Sequence, residues 1–170
     1  DDLGKIKRAG QHLLALIGQV LDLAKVEAGK LEPQFTEVDA LELAREAVET
    51  LSALAGKSRT TLVLEAEGDP GVLVADRTLV RQVLFNLIGN ACKFTQDGRV
   101  TLEVRGAGEE IAFAVHDTGP GIGPEQLAML FASYVQVDRG LRVAGGTGLG
   151  LMLARRFARV MGGDVQATSV

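Results

Sequence analysis

The stretch that most constrains this chain runs from Arg81 to Thr95, RQVLFNLIGNACKFT. Its apolar residues recur at helical spacing. Val80, Val83, Leu84, Leu87, Ile88 and Ala91 gather on one side of a helix. Asn86, Asn90 and Lys93, separated by four and then three positions, stack on the other. No acidic residue stands among them. A helix of this kind must bury one side and present the other. Two amides suit Mg²⁺, a hard cation that prefers oxygen ligands and usually arrives with phosphates. A lysine one turn on can meet a phosphate oxygen as a point charge. On this helix alone, a solvated polar face accounts for the same three residues equally well.

The rest of the chain decides between these readings. At 170 residues it suits one ordinary domain plus an appendage. The formal net charge of -4, with no basic run and no aromatic platform, argues against nucleic acid as a partner. The single cysteine, Cys92, lies in the apolar helix and can build no metal cluster. No apolar run is long enough to span a bilayer and no signal peptide opens the chain, so a soluble, cytoplasmic protein is expected. The chain opens inside a helical pattern, so a piece of a longer protein is also expected.

Residues 3–28 read as a helix. Ile6, Leu13 and Val20 recur every seven positions, and Leu14, Leu16, Leu21 and Leu23 widen the stripe. That much apolar surface calls for partners, either from a second chain in a bundle or from this same domain. Gly29 ends the helix and Pro33 keeps it from resuming. Next come a strand over 35–38, a helix capped by Asp39 and running to about Ala55, and strands over 61–65 and 72–75 flanking the Gly68-Asp69-Pro70-Gly71 turn. Asp76 caps the helix of the opening paragraph. Asp97-Gly98 marks a tight turn, residues 99–105 and 110–117 a hairpin, and Pro124 the start of a helix reaching about Phe131. Residues 148–161 read as a helix and 163–169 as a final strand. Strands and helices mix without strict alternation. The fold class is therefore α+β, a two-layer α/β sandwich with helices on one face of a mixed sheet, preceded by one bundle helix.

Two glycine-rich stretches complete the pattern. Asp117-Thr118-Gly119-Pro120-Gly121-Ile122-Gly123 follows an alternating strand. An ionised carboxylate at a strand end only accepts hydrogen bonds. It can hold the exocyclic amine of adenine and repels the carbonyl that guanine puts in the same place. The glycines allow close approach of a base or phosphates. Gly145-Gly146-Thr147-Gly148-Leu149-Gly150-Leu151 opens a helix, where backbone N–H groups favour anions. No Gly-Lys-Ser/Thr follows, so it is not a P-loop. No strand precedes it, so it is not a dinucleotide fingerprint.

Taken together in this order, the sequence resembles the catalytic ATP-binding domain of sensor histidine kinases, within the gyrase, Hsp90, histidine kinase and MutL class of ATPases. Asn86 to Thr95 looks like the family's N box, and Asp117 to Gly123 like its first glycine box. Leu130-Phe131 with Tyr134 looks like its F box, and Gly145 to Leu151 like its second glycine box. The likeness covers nearly the whole chain. It implies a Bergerat-type ATP-binding fold over 34–170. It also implies that residues 1–30, ending in Leu23-Ala24-Lys25-Val26-Glu27-Ala28-Gly29, are the second helix of the dimerisation and phosphotransfer hairpin. Asn90 is then the Mg²⁺ ligand, with Asn86 beside it and Lys93 on the phosphates. Asp117 selects adenine, and Gly119, Gly121, Ile122 and Gly123 shape the base pocket. Leu130 and Phe131 contribute to nucleotide binding, residues 132–146 form a lid, and Gly146, Thr147, Gly148, Leu149, Gly150 and Leu151 wrap the triphosphate.

The sequence departs from the family in two places. The phosphoacceptor motif, a histidine followed by an acidic residue and Arg-Thr-Pro, is absent. His12 is followed by Leu13-Leu14 and sits on the wrong helix, and His116 lies in a strand facing away from Asp117. The family also continues beyond Gly162-Gly163-Asp164 with another strand and a glycine turn, so the C-terminal edge is expected to be truncated. The reading is a kinase core that donates the ATP γ-phosphate to a histidine outside these residues, for relay to a response-regulator receiver domain, with homodimerisation through the hairpin. The alternative is a non-catalytic signalling module that keeps the fold. A gyrase- or MutL-like ATPase is disfavoured, because such proteins place a glutamate four residues before the metal asparagine and position 86 is Asn.

Overall fold

The computed structural model describes residues 2–131 and 149–170, without the side chains of Lys5, Arg8, His12 and Ala107. The elements follow in the order α1 (Asp2–Glu27), β1 (Thr36–Asp39), α2 (Ala40–Lys57), β2 (Thr61–Glu67), β3 (Val72–Ala75), α3 (Arg77–Phe94), β4 (Arg99–Ala107), β5 (Glu110–Asp117), α4 (Pro124–Met129) and α5 (Gly150–Val160). Local chemistry sets most of these boundaries. Asp39 accepts from Glu42 N at 2.8 Å, and Asp76 accepts from Thr78 N at 2.9 Å and Leu79 N at 3.1 Å. Such caps are worth about 1 kcal/mol each. Gly29, past the end of α1, takes φ +64°, the left-handed turn that glycine enters without steric cost.

Strands β2, β4 and β5 form one sheet in the order β2-β4-β5, with β2 parallel to β4 and β4 antiparallel to β5. Strands β1 and β3 form a separate antiparallel pair. The Gly68–Gly71 turn therefore does not close a hairpin. It carries the chain from one sheet to the other. Alternation sets the faces: Val100, Leu102 and Val104 of β4 are buried, and Thr101, Glu103 and Arg105 point away. Helices α2 and α3 cover the apolar face. Leu43, Ala44, Ala47, Leu84, Ile88, Ala91 and Cys92 join that sheet face in the main core.

A second cluster lies on the far side of α3. Leu79 and Val83 of α3 meet Leu149, Met152, Leu153 and Phe157 at α5, and Leu23 of α1 closes over them. The last turns of α1 thus pack on this chain, helped by Gln82 of α3, which donates to Asp22 at 3.2 Å. Earlier along α1, Leu3, Ile6, Leu13, Leu14, Ile17, Val20 and Leu21 stay exposed. The end of the stripe at Leu23 therefore packs on this domain, and the apolar residues before it are exposed.

The strand expected over residues 163–169 does not form. Val165, Ala167 and Ser169 turn inward in alternation. No ladder accompanies it, and side chains hold the segment. Asp164 is gripped by Arg155 at 2.8 Å and Arg159 at 3.0 Å, and Ser169 is engaged by the loop after β5.

Candidate functional site

The polar face of α3 supplies the floor. Asn86, Asn90 and Lys93 are each half-buried, on the side opposite Leu84, Ile88 and Ala91. Burial pushes the Lys93 ammonium below its ordinary pKa. The Nζ lies 5.3 Å from the Phe94 ring centroid, and among the described residues no carboxylate is within ion-pair distance. A partly desolvated cation of this kind is suited to meet an anion.

The start of α5 comes against one end of this face. A Cβ built on Gly150 would stand 3.2 Å from Asn86 Oδ1, so the backbone there approaches the amide more closely than most side chains allow. Leu149 is buried and Leu151 half-buried, which fixes the first turn of α5 against α3. Gly146, Thr147 and Gly148 lie outside the described residues, as do Tyr134 and the whole expected lid.

The loop after β5 meets the other end. Asp117 is exposed, and its Oδ1 accepts from Gly119 N at 2.8 Å. Thr118 extends the β4–β5 pairing by one residue: its N donates to Arg99 O at 3.1 Å and its Oγ1 accepts from Arg99 N at 3.0 Å. Gly119 sits so close to the end of α3 that a Cβ would be 3.4 Å from Phe94 O. Gly121 takes φ +74°, and Ile122, half-buried, donates its N–H to Ser169 Oγ at 2.7 Å. Gly123 caps α4 ahead of Pro124.

Of the F-box pair, Leu130 ends α4, and Phe131 packs toward α5 with the Arg155 guanidinium 4.8 Å from its ring centroid. Phe131 also lines an open depression with Val26, Met152, Arg155, Arg156 and Arg159, and among the described residues no other candidate residue lines it. His116 Nε2 lies 3.2 Å from Glu103 Oε2 on the outer face of the sheet. The His12 side chain is outside the described ones. Thr95, Thr118 and Ser169 were not singled out in the sequence. The Thr118 and Ser169 hydroxyls accept from Arg99 N and Ile122 N, distant in the chain, and Thr95 is buried at the end of α3; no local pattern reveals that.

The arrangement is a helix face bounded at one end by a glycine-started helix and at the other by a carboxylate loop. Residues 75–170 match the family described as histidine kinase-, DNA gyrase B-, and HSP90-like ATPase, and the chain belongs to that family. It is 40% identical over 171 residues to the circadian input-output histidine kinase CikA of Synechococcus elongatus, covering 96% of this chain and 22% of that protein. It is 41% identical over 165 residues to the histidine protein kinase DivJ of Caulobacter vibrioides, covering 94% of this chain and 27% of that one. The chain thus spans about a quarter of each relative's length. Among solved structures, full-length ShkA in complex with AMPPNP superposes with a TM-score of 0.81 at 31% identity, covering 98% of this chain and 36% of that one. What this chain carries is the ATP-binding domain characteristic of sensor histidine kinases.

Proposed function

We propose that this chain binds Mg·ATP along α3 and donates the γ-phosphate to a histidine outside these residues, for relay to a response-regulator aspartate. The observation that carries the reading is the polar face of α3 held between the start of α5 at Asn86 and the Asp117 loop at Thr95. At the helical rise that interval is roughly 13 Å, enough for a nucleoside triphosphate laid along the helix. Asp117 accepts from the adenine amine, and Gly119, Gly121, Ile122 and Gly123 form the base-facing loop. Asn86 and Lys93 serve the phosphates. Residues 146–151 wrap them, and Leu130 and Phe131 border the site.

Asn90 is the proposed metal ligand. Half-buried amide oxygens at Asn86 and Asn90 fit Mg²⁺, which takes few protein ligands and keeps waters and phosphate oxygens. Among the described residues no cluster of three His, Cys, Asp or Glu side chains offers a rival metal site. Bound there, the ion would neutralise charge on the transferring phosphoryl group. The chain's own residues position: a face of fixed spacing holds base and phosphates at its two ends, and Lys93 adds charge without becoming covalently involved.

Residues 1–30 are read as one helix of a dimerisation hairpin and residues 34–170 as the catalytic domain. The open stripe from Leu3 to Leu21 supports a second copy as its cover. Among the described residues no helix is long and apolar enough to cross a membrane, and a cytoplasmic location is proposed.

The test is incubation with radiolabelled ATP, with and without a separately supplied hairpin carrying an acceptor histidine. The chain alone is expected to bind ATP without labelling itself. The hairpin should be labelled slowly, because the tether that raises effective concentration is missing. Acid-labile label on the chain alone would implicate His12 or His116. An unlabelled hairpin, with ATP binding confirmed, would favour a non-catalytic signalling module.

A further inference from the structure

The loop from Asp117 to Gly123 is tied at both ends. At its start Thr118 N donates to Arg99 O at 3.1 Å, and Gly119 N donates to Asp117 Oδ1 at 2.8 Å. At its end Gly123 O accepts from Leu127 N of α4 at 2.8 Å. Between them Pro120 has no N–H to give, and the tie is the Ile122 N–H, which donates to Ser169 Oγ at 2.7 Å. Ser169 stands 47 residues further along the chain.

Packing brings Ser169 there. The segment that carries it starts at Asp164, held by Arg155 at 2.8 Å and Arg159 at 3.0 Å, and Val165 is buried with Leu153 and Phe157 of α5. At the far end of the segment, a Cβ on Gly121 would stand 3.2 Å from Ser169 Oγ and 3.3 Å from Val170 O, closer than most side chains allow. Gly121 also takes φ +74°, so loop and segment meet where glycine alone fits without strain. The first turn of α5 meets Asn86 at one end of the α3 face, while Arg155 and Arg159 hold the segment that reaches the loop at the other. One helix thus braces both ends of the face.

We propose that Ser169 is a positioning residue for the base-facing loop: by accepting from Ile122 N, it holds residues 120–122 in the conformation that receives adenine. It acts through Ile122 and not on the base itself. A loop held before the nucleotide arrives loses less freedom when the nucleotide binds. Without the hydroxyl the loop is fixed only at its two ends, and the Ile122 N–H turns to water. Each binding event must then order the middle of the loop. Ser169 is half-buried and lies outside both core clusters, so its loss falls on nucleotide affinity more than on the fold.

The inference rests on the proposed base pocket, so each is tested by its own variant. Calorimetric titration with a non-hydrolysable ATP analogue in Mg²⁺, well below the Tm, would compare the parent with Ser169→Ala, Ser169→Thr, Ser169→Val and Asp117→Asn. Ser169→Ala should bind about fivefold more weakly, the scale of one neutral hydrogen bond, with a nucleotide-free Tm near that of the parent. Threonine and valine match in size and differ by the hydroxyl. Ser169→Thr should therefore bind more tightly than Ser169→Val, even where the added methyl weakens both. Hydrogen exchange without nucleotide should find the Ile122 amide protected in the parent and in Ser169→Thr, and faster to exchange in the alanine and valine variants. Parent-like affinity in Ser169→Ala, or binding by Ser169→Thr no tighter than by Ser169→Val, would assign Ser169 to packing and overturn the inference alone, provided Asp117→Asn loses affinity. An Ile122 amide equally protected in the parent and Ser169→Ala would overturn it likewise. An Asp117→Asn variant that binds like the parent would overturn the base-pocket reading and the inference with it.

Discussion

Replacing Gly150 by alanine separates stability from function. Gly150 opens α5, and its added Cβ would lie 3.2 Å from Asn86 Oδ1, 3.6 Å from Asn86 Cγ and 4.0 Å from Asn86 Cβ. No left-handed φ is at stake there. The substitution should stabilise the chain by about 0.5 kcal/mol, through lost freedom in the unfolded state. Against that, the Asn86 amide must give by a few tenths of an ångström. Moving it off its rotamer costs about 0.5–1.5 kcal/mol. The net change in stability is therefore within about 1 kcal/mol, or roughly 2–4 °C in Tm for a chain of this size. Function is more sensitive. If misplacement by 1 Å costs about a hundredfold, a smaller shift of Asn86 should slow hairpin phosphorylation about tenfold. The assays are thermal unfolding without nucleotide and labelling of the hairpin at saturating Mg·ATP. A parent-like rate with parent-like Tm would show that the α5–Asn86 approach does not matter for phosphotransfer. A Tm lower by more than 10 °C would show that the Cβ meets a rigid wall instead of a movable amide.

Three further substitutions probe other links. Phe157→Ala empties the centre of the cluster joining α1, α3 and α5, where Phe157 is 1% exposed, and should cost about 3–5 kcal/mol by denaturant titration. A loss under 1 kcal/mol would mean that the cluster collapses to fill the gap. Asn90→Ala should remove the Mg²⁺ dependence of nucleotide binding while leaving Tm near that of the parent, and equal Mg²⁺ dependence in calorimetry would sink the assignment. Asp164 is held well below the usual carboxylate range by hydrogen bonds from Arg155 and then Arg159. A depressed carboxylate stabilises fully above its unfolded pKa, about 3.9, and loses that contribution as pH falls through its folded value. Tm measured against pH should therefore drop more steeply below pH ~4 in the parent than in Asp164→Asn, and parallel curves would contradict the pairing.

The sequence by itself determined what is local. Capping by Asp39 and Asp76, the two sides of α3, the alternation of β4 and the positions of both glycine stretches follow from residues a few places apart. Helical and strand periods are set by backbone geometry that every chain shares. The segment 163–169, expected as a strand, alternates inward and outward without forming one. Tertiary structure decided whether that alternation met a partner edge, and here side chains hold the segment instead of a ladder. It also decided that β1 pairs with β3, and that β2 runs parallel to β4 instead of turning back on β3. The approach of Gly150 to Asn86, the seat of Ser169 under Ile122 and the closeness of Gly119 to Phe94 join residues far apart in sequence. Contacts of that kind depend on how layers pack at ångström scale, where one missing Cβ decides how closely two segments approach. Composition and spacing name the residues able to form such a site, and only packing chooses which of them meet.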